Sequence, residues 1–105
     1  LLQAEVEYLE AEASQLLERA EWSIEGQAYR FNRRILQTAP IAIQRRAVRQ
    51  LLQQSLPEAP NFEQIEKLVG LISAANRSQT DPFPGGAIAQ VDGDWIWLRS
   101  ANSTD

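Results

Sequence analysis

The chain has 105 residues, 44% of them hydrophobic and 23% charged, which suits one domain around a single core that buries roughly two thirds of the unfolded surface. It contains no Cys and no His, which excludes disulfides, thiolate metal sites and the commonest general base. The net charge of −4, taken alone, argues against a nucleic-acid partner.

Leu2, Val6, Leu9, Ala13, Leu16 and Ala20 recur at alternating spacings of four and three, with Glu and Gln between them, so the first segment is expected to be a long helix with a narrow apolar seam. Such a seam suits a helix packed along one neighbour, a connector to an upstream domain, or a coiled-coil contact between two copies. The period ends near Gly26. Ala28-Tyr29-Arg30-Phe31 then alternates as a short strand with Tyr29 and Phe31 on one face. Asn32 can cap a brief turn of helix over 33–37.

Pro40 marks the first turn of the next helix, expected to run to about Ser55 with Ile41, Val48, Leu51 and Leu52 towards the core. Pro57 and Pro60 bracket a linker, and Asn61 with Gln64 forms a capping box opening a helix with the stripe Phe62, Ile65, Leu68, Val69 and Ile72. Residues 76–86 are rich in turn formers and read as a loop, closing on Pro84-Gly85-Gly86, a structural turn that needs positive φ. The runs 87–91 and 94–99 form a hairpin around Asp92-Gly93. Ala87, Ala89, Val91, Ile96 and Leu98 fall on its core face, and Ile88, Gln90, Trp95 and Trp97 on the other. The expected fold is α+β, in the order α-β-α-α-β-β, with helices packed on a small antiparallel sheet.

The charge is segregated. Residues 1–29 hold seven Glu and only Arg19, whereas residues 30–49 hold Arg30, Arg33, Arg34, Arg45, Arg46 and Arg49 with no acid. With Val48 as the centre of its helix's apolar face, Arg45 lies about 60° away, Arg49 about 100° and Arg46 about 160°. Arg45 is therefore expected at the boundary, ion-paired with the acidic first helix, and Arg46 pointing outward. Arg46, Arg49, Arg45, Arg33, Arg34 and Arg30 form the candidate phosphate-binding set, because guanidinium forks suit phosphate oxygens. Trp95 and Trp97 are a second candidate surface, for stacking on a base or for packing on a partner. No phosphate loop, nucleophile elbow or metal-ligand cluster is present in the sequence, so no catalytic or metal residue is expected.

Tyr29-Arg30-Phe31, Leu36, Ala39-Pro40 and Gln44-Arg45-Arg46-Ala47-Val48-Arg49 resemble the substrate-binding region of tRNA(Ile)-lysidine synthetases, in which L-P-x-x-x-Q-R-R-x-L-R opens a helix. Pro84-Gly85-Gly86 before the hairpin resembles that family's Leu-Pro-Gly-Gly, with Phe83 in place of Leu, and Glu7-Tyr8-Leu9-Glu10 resembles its connector helix. Asn76-Arg77 stands near where the family commonly has Gly-Lys. The resemblance implies an enzyme that uses ATP and Mg to attach lysine to an anticodon cytidine of a minor isoleucine tRNA. The ATP loop would lie in an upstream catalytic domain, with tRNA as partner and no cofactor in this chain.

It further implies residues 1–25 as connector and 26–100 as the tRNA-contacting body, while the polar residues 101–105 are expected to form a disordered tail. The start Leu1-Leu2-Gln3-Ala4-Glu5 reads as mid-helix without a signal core, and no Met occurs, so a cytoplasmic domain of a longer protein is the expectation. No apolar run approaches the roughly 20 residues of a membrane span. Two other classes remain: an interaction or homodimerisation module using the first-helix seam, and a winged-helix DNA binder. In the latter the recognition helix, residues 62–75, would carry Glu63 and Glu66 against one Lys67, which disfavours DNA.

Overall fold

Two glycine turns organise the sheet. The computed structural model describes residues 2–100, so the expected tail at 101–105 lies outside the described residues. Helix α1 (Gln3–Arg19) leads into strand β1 (Ser23–Glu25), and Gly26, at φ +63°, turns the chain back into β2 (Ala28–Asn32). Strand β1 was not expected, because Ser-Ile-Glu is too short to show alternation and becomes a strand only by pairing Ser23 with Arg30 and Glu25 with Ala28. Short helices follow in the expected order: α2 (Arg33–Leu36), α3 (Ile41–Ser55) and α4 (Phe62–Ile72). Strands β3 (Ile88–Asp92) and β4 (Trp95–Arg99) close an antiparallel sheet of order β1-β2-β4-β3. The fold is α+β.

The second hairpin turns on Gly93-Asp94, one residue later than Asp92-Gly93, pairing Asp92 with Trp95 and Val91 with Ile96. Moving both strands by one residue preserves the pairing parity, so every side chain keeps its expected face. Ala89, Val91, Ile96 and Leu98 are buried against the helices, and Phe31 joins them from β2. Across this face α3 lies between α1 and α4, contributing Ala47, Val48, Leu51 and Leu52 to the core.

Two expected core residues are exposed: Ile41 and Phe62, at 48% and 67%. Each is the first residue of its helix, and the Cα–Cβ bond there leans towards the N-terminus, past the body of the domain. Ala47 and Leu71 are buried instead. The capping box is formed, Asn61 Oδ1 accepting from the Gln64 N–H and Gln64 Oε1 from the Asn61 N–H. In α1 the seam is buried at Ala13, Leu16 and Ala20, yet Leu2 is 71% exposed and Tyr8 63%. The helix thus overhangs the body at its N-terminal end.

Residues 77–83 run along the free edge of β3. Arg77 and Val91 N–H donate to Val91 and Ser78 oxygens respectively, Thr80 N–H to Ala89 O, and Phe83 N–H to Ala87 O. An edge covered by its own loop is protected from pairing with another chain. The hairpin is therefore built into a helix-backed sheet, with β4 between β2 and β3, unlike a wing projecting beside a recognition helix.

Candidate functional site

The acid-free stretch from Arg30 to Arg49 spreads over three elements, and the fold sends its arginines to different places. Arg33 is the main departure from expectation. Its residue is buried, at 4% exposure, and its guanidinium donates through Nε to Gly93 O at 2.8 Å and through Nη1 to Ile72 O and Ala74 O at 3.2 and 2.6 Å. The last carbonyls of α4 have no helical partners, and Arg33, with Gln37 Nε2 at 2.9 Å from Ile72 O, supplies donors to that end. Burial lowers the Arg33 pKa from its ordinary value, with Arg34 adding to the effect. Its donors are committed inside the domain, which removes it from the expected phosphate-binding set. A four-residue helix has no periodicity from which this burial could be read.

Arg34, beside it, is exposed and pairs with Asp94 at 3.0 Å, while its own N–H is capped by Asn32 Oδ1. Arg45 is ion-paired at the boundary as expected, but with α4 and not with the first helix, and Arg46, expected to point outward, is the more buried of the two. Arg45 forms a two-pronged pair with Glu66 of α4, Nε to Oε2 at 2.8 Å and Nη2 to Oε1 at 3.0 Å. That hydrogen bonding raises the Arg45 pKa and lowers that of Glu66. Arg46 is the residue that meets the first helix, with Nη1 2.7 Å from Glu10 Oε2, and its side chain is only 22% exposed against 43% for Arg45. The reason is that α1 packs along the flank of α3, where Gln50 also binds Glu10 O. A wheel centred on Val48 shows one apolar face and cannot show a second helix on the flank.

Arg49 is exposed, and its side chain makes no ion pair or hydrogen bond among the described residues. With Ala42, Arg45, Arg46, Phe62 and Ile65 it lines an open groove of about 270 Å³ between α3 and α4. Phe62, misplaced in the core by its helical spacing, is the aromatic rim of this groove. The arrangement offers one guanidinium without a carboxylate partner among the described residues, two paired with carboxylates, and an apolar ring.

The second candidate surface is on the sheet face turned from the helices. Trp95 and Trp97 are half-buried there, as the alternation predicts. Arg30, opposite Trp97 in the pairing, lies with its guanidinium 4.1 Å from the Trp95 ring centroid and pairs with Glu25 at 2.9 Å. Arg99 stacks on Trp97, a contact with no signal in the clustering of basic residues along the sequence.

Pro84-Gly85-Gly86 is a turn, with Gly85 at φ +89° and Gly86 at +92°, and Gly86 N–H donates to Phe83 O at 2.8 Å. It leads into a strand and packs on the Pro57 ring, so it does not have the helix-opening geometry of a phosphate cradle. Among the described residues no group of three or more Asp and Glu side chains could hold a metal ion, and no helix is long and apolar enough to cross a membrane.

Residues 31–93 match the family described as TilS substrate binding domain. The chain is similar to three curated proteins named tRNA(Ile)-lysidine synthase: 59% identical over 95% of its length to that of Nostoc sp., 44% over 91% to that of Synechocystis sp., and 40% over 93% to that of Gloeobacter violaceus. It covers 32%, 28% and 29% of those proteins, so it spans about a third of the length of the relatives it matches.

Proposed function

Since the chain belongs to the TilS substrate-binding-domain family, we propose that it holds tRNA for an ATP-dependent enzyme that joins lysine to the anticodon cytidine of a minor isoleucine tRNA. The observation that carries this reading is the 59% identity, over nearly the whole chain, to a protein named tRNA(Ile)-lysidine synthase. In this reading residues 1–25 connect to a catalytic domain elsewhere in the protein, residues 26–100 contact tRNA, and the protein works in the cytoplasm.

The donors present here do not fit ATP or Mg. The glycine turn opens a strand, and the carboxylates near the basic groups are engaged as ion-pair partners. No chemical step is therefore assigned to these residues. What the domain contributes is position. Arg49, Arg45 and Arg46 present guanidinium groups along α3, and Arg34 and Arg30 present two more near the sheet. A phosphate displacing Glu10 from Arg46 exchanges one charge-assisted hydrogen bond for another, and one displacing Glu66 from Arg45 can replace both prongs with two of its oxygens.

Arg49 is the contact to test first, because it has no carboxylate to give up. In the full-length protein, Arg49→Ala is expected to weaken tRNA binding and to reduce the slope of log affinity against log salt by about 0.7–0.9, the term for one phosphate contact. Binding of ATP and of lysine should be unaffected, because those sites lie in another domain in this reading. Unchanged tRNA affinity in Arg49→Ala, and in Arg45→Ala combined with Arg46→Ala, would exclude the α3 surface as the tRNA contact.

A further inference from the structure

On the open face of the sheet, indole rings and guanidinium groups alternate. Arg30 lies 4.1 Å from the centroid of Trp95 and 5.7 Å from that of Trp97, and Arg99 lies 4.6 Å from Trp97. The register builds this directly: Arg30 pairs with Trp97 across β2 and β4, and Trp95, Trp97 and Arg99 alternate along one side of β4. Stacking engages the flat face of a guanidinium and leaves its N–H groups, which lie in the plane, available for hydrogen bonds. Arg30 turns Nε towards Glu25 and Ser23, and its two terminal nitrogens make no hydrogen bond among the described residues. The Arg99 side chain is exposed and makes no hydrogen bond or ion pair among the described residues. The indoles therefore hold two planar cations in place, with the Arg99 fork and the terminal nitrogens of Arg30 making no hydrogen bonds among the described residues.

We infer that this face is a second RNA-backbone contact, with Arg99 and Arg30 donating to phosphodiester oxygens and Trp97 positioning both. The inference rests on the tRNA-holding role proposed above and assigns it a surface distinct from α3. A protein partner fits less well. Interface cores use bare aromatic area and are depleted of charge, whereas these indoles already carry cations on their faces. What this surface presents outward is hydrogen-bond donors with positive charge, and an arginine ordered by stacking loses less side-chain freedom on meeting phosphate.

The test uses the full-length protein and its tRNA, with affinity measured across a KCl series. Arg99→Gln is expected to weaken binding about fivefold at 0.1 M salt and to make the log–log slope shallower by about 0.7–0.9. Arg99→Lys should keep the slope while losing part of the affinity, because the charge remains but the planar fork does not. Trp97→Leu should weaken binding in parallel with Arg99→Gln, and Arg19→Gln, at the end of α1, should change neither quantity. Wild-type affinity and slope in Arg99→Gln would overturn the inference and leave the tRNA-holding role standing. Failure of the unaltered protein to bind tRNA would overturn both. If Arg99→Gln leaves tRNA binding intact but lowers the melting temperature of the full-length protein or exposes a new cleavage site in limited proteolysis, the face packs on another part of that protein and the inference is wrong.

Discussion

Arg33 and Arg34 are adjacent in sequence and opposite in consequence. The first donates to three carbonyls at the end of α4 and at the hairpin turn, and the second makes an exposed pair with Asp94. Arg33→Ala should cost about 3–5 kcal/mol, since it leaves buried acceptors without donors, while Arg34→Ala should cost under about 1 kcal/mol; urea unfolding of each variant measures the difference. Equal losses would mean that the Arg33 bonds are replaced by water. The pair Arg45–Glu66 makes a pH-dependent contribution with a definite sign. The Glu66 pKa is lowered in the folded state by the Arg45 hydrogen bond, so its stabilisation is present above the unfolded carboxylate pKa and is lost as pH falls through the folded one. Glu66→Gln should therefore lower the melting temperature modestly near neutrality and leave it unchanged well below about pH 4.3, which flattens the acid limb of the profile. The sequence shows that these arginines cluster, but their partners are set by tertiary contacts. Arg46 finds Glu10 because α1 lies along α3, and nothing local to residues 41–55 encodes that neighbour.

At the scale of elements, legibility followed length. The hairpin faces were readable because alternation survives a shift of the turn from Asp92-Gly93 to Gly93-Asp94, and the α4 cap was readable because Asn61 and Gln64 form a local motif. Strand β1 and helix α2, of three and four residues, carry too few positions to reveal a period. First residues of helices were also misread, as Ile41 and Phe62 show. The turn before the hairpin couples two elements through a position where only glycine is unstrained. A Cβ on Gly85 would lie 3.3 Å from two carbons of the Pro57 ring, at φ +89°. Gly85→Ala should lower stability by about 1–3 kcal/mol, whereas Gly70→Ala, where nothing lies within 4 Å of the added carbon, should stabilise α4 by roughly 0.5–1 kcal/mol; thermal unfolding of the two distinguishes them. In the hairpin itself, Ile96→Ala should cost about 2–5 kcal/mol by cavity formation, and Trp97→Ala less, because only Ile96 faces the core.

The whole molecule is a helix layer on one face of a sheet, 44 × 27 × 23 Å in extent, with the start of α1 extending beyond the core. Residues 1–105 alone should give no stoichiometric heat in calorimetric titration with Mg-ATP, and micromolar binding would contradict the assignment of nucleotide chemistry to another domain. The order β1-β2-β4-β3 has a consequence for how the chain is made. The last strand in sequence is an inner strand in space, pairing Ala28 with Arg99 on one side and Ile88 with Arg99 on the other. A polypeptide emerging from a ribosome can form α1, α3 and the first hairpin early, yet the sheet has a gap at its centre until β4 arrives. The closing contacts are also the most distant ones, which slows folding because chain entropy is lost before they form. Until then Phe31 and Val91 lack the neighbour that covers them, and exposed apolar strand edges are where aggregation starts. Stalled chains ending at Asp92 should therefore be digested by protease as readily as unfolded protein, and release of a few residues beyond Arg99 should confer resistance in a single step.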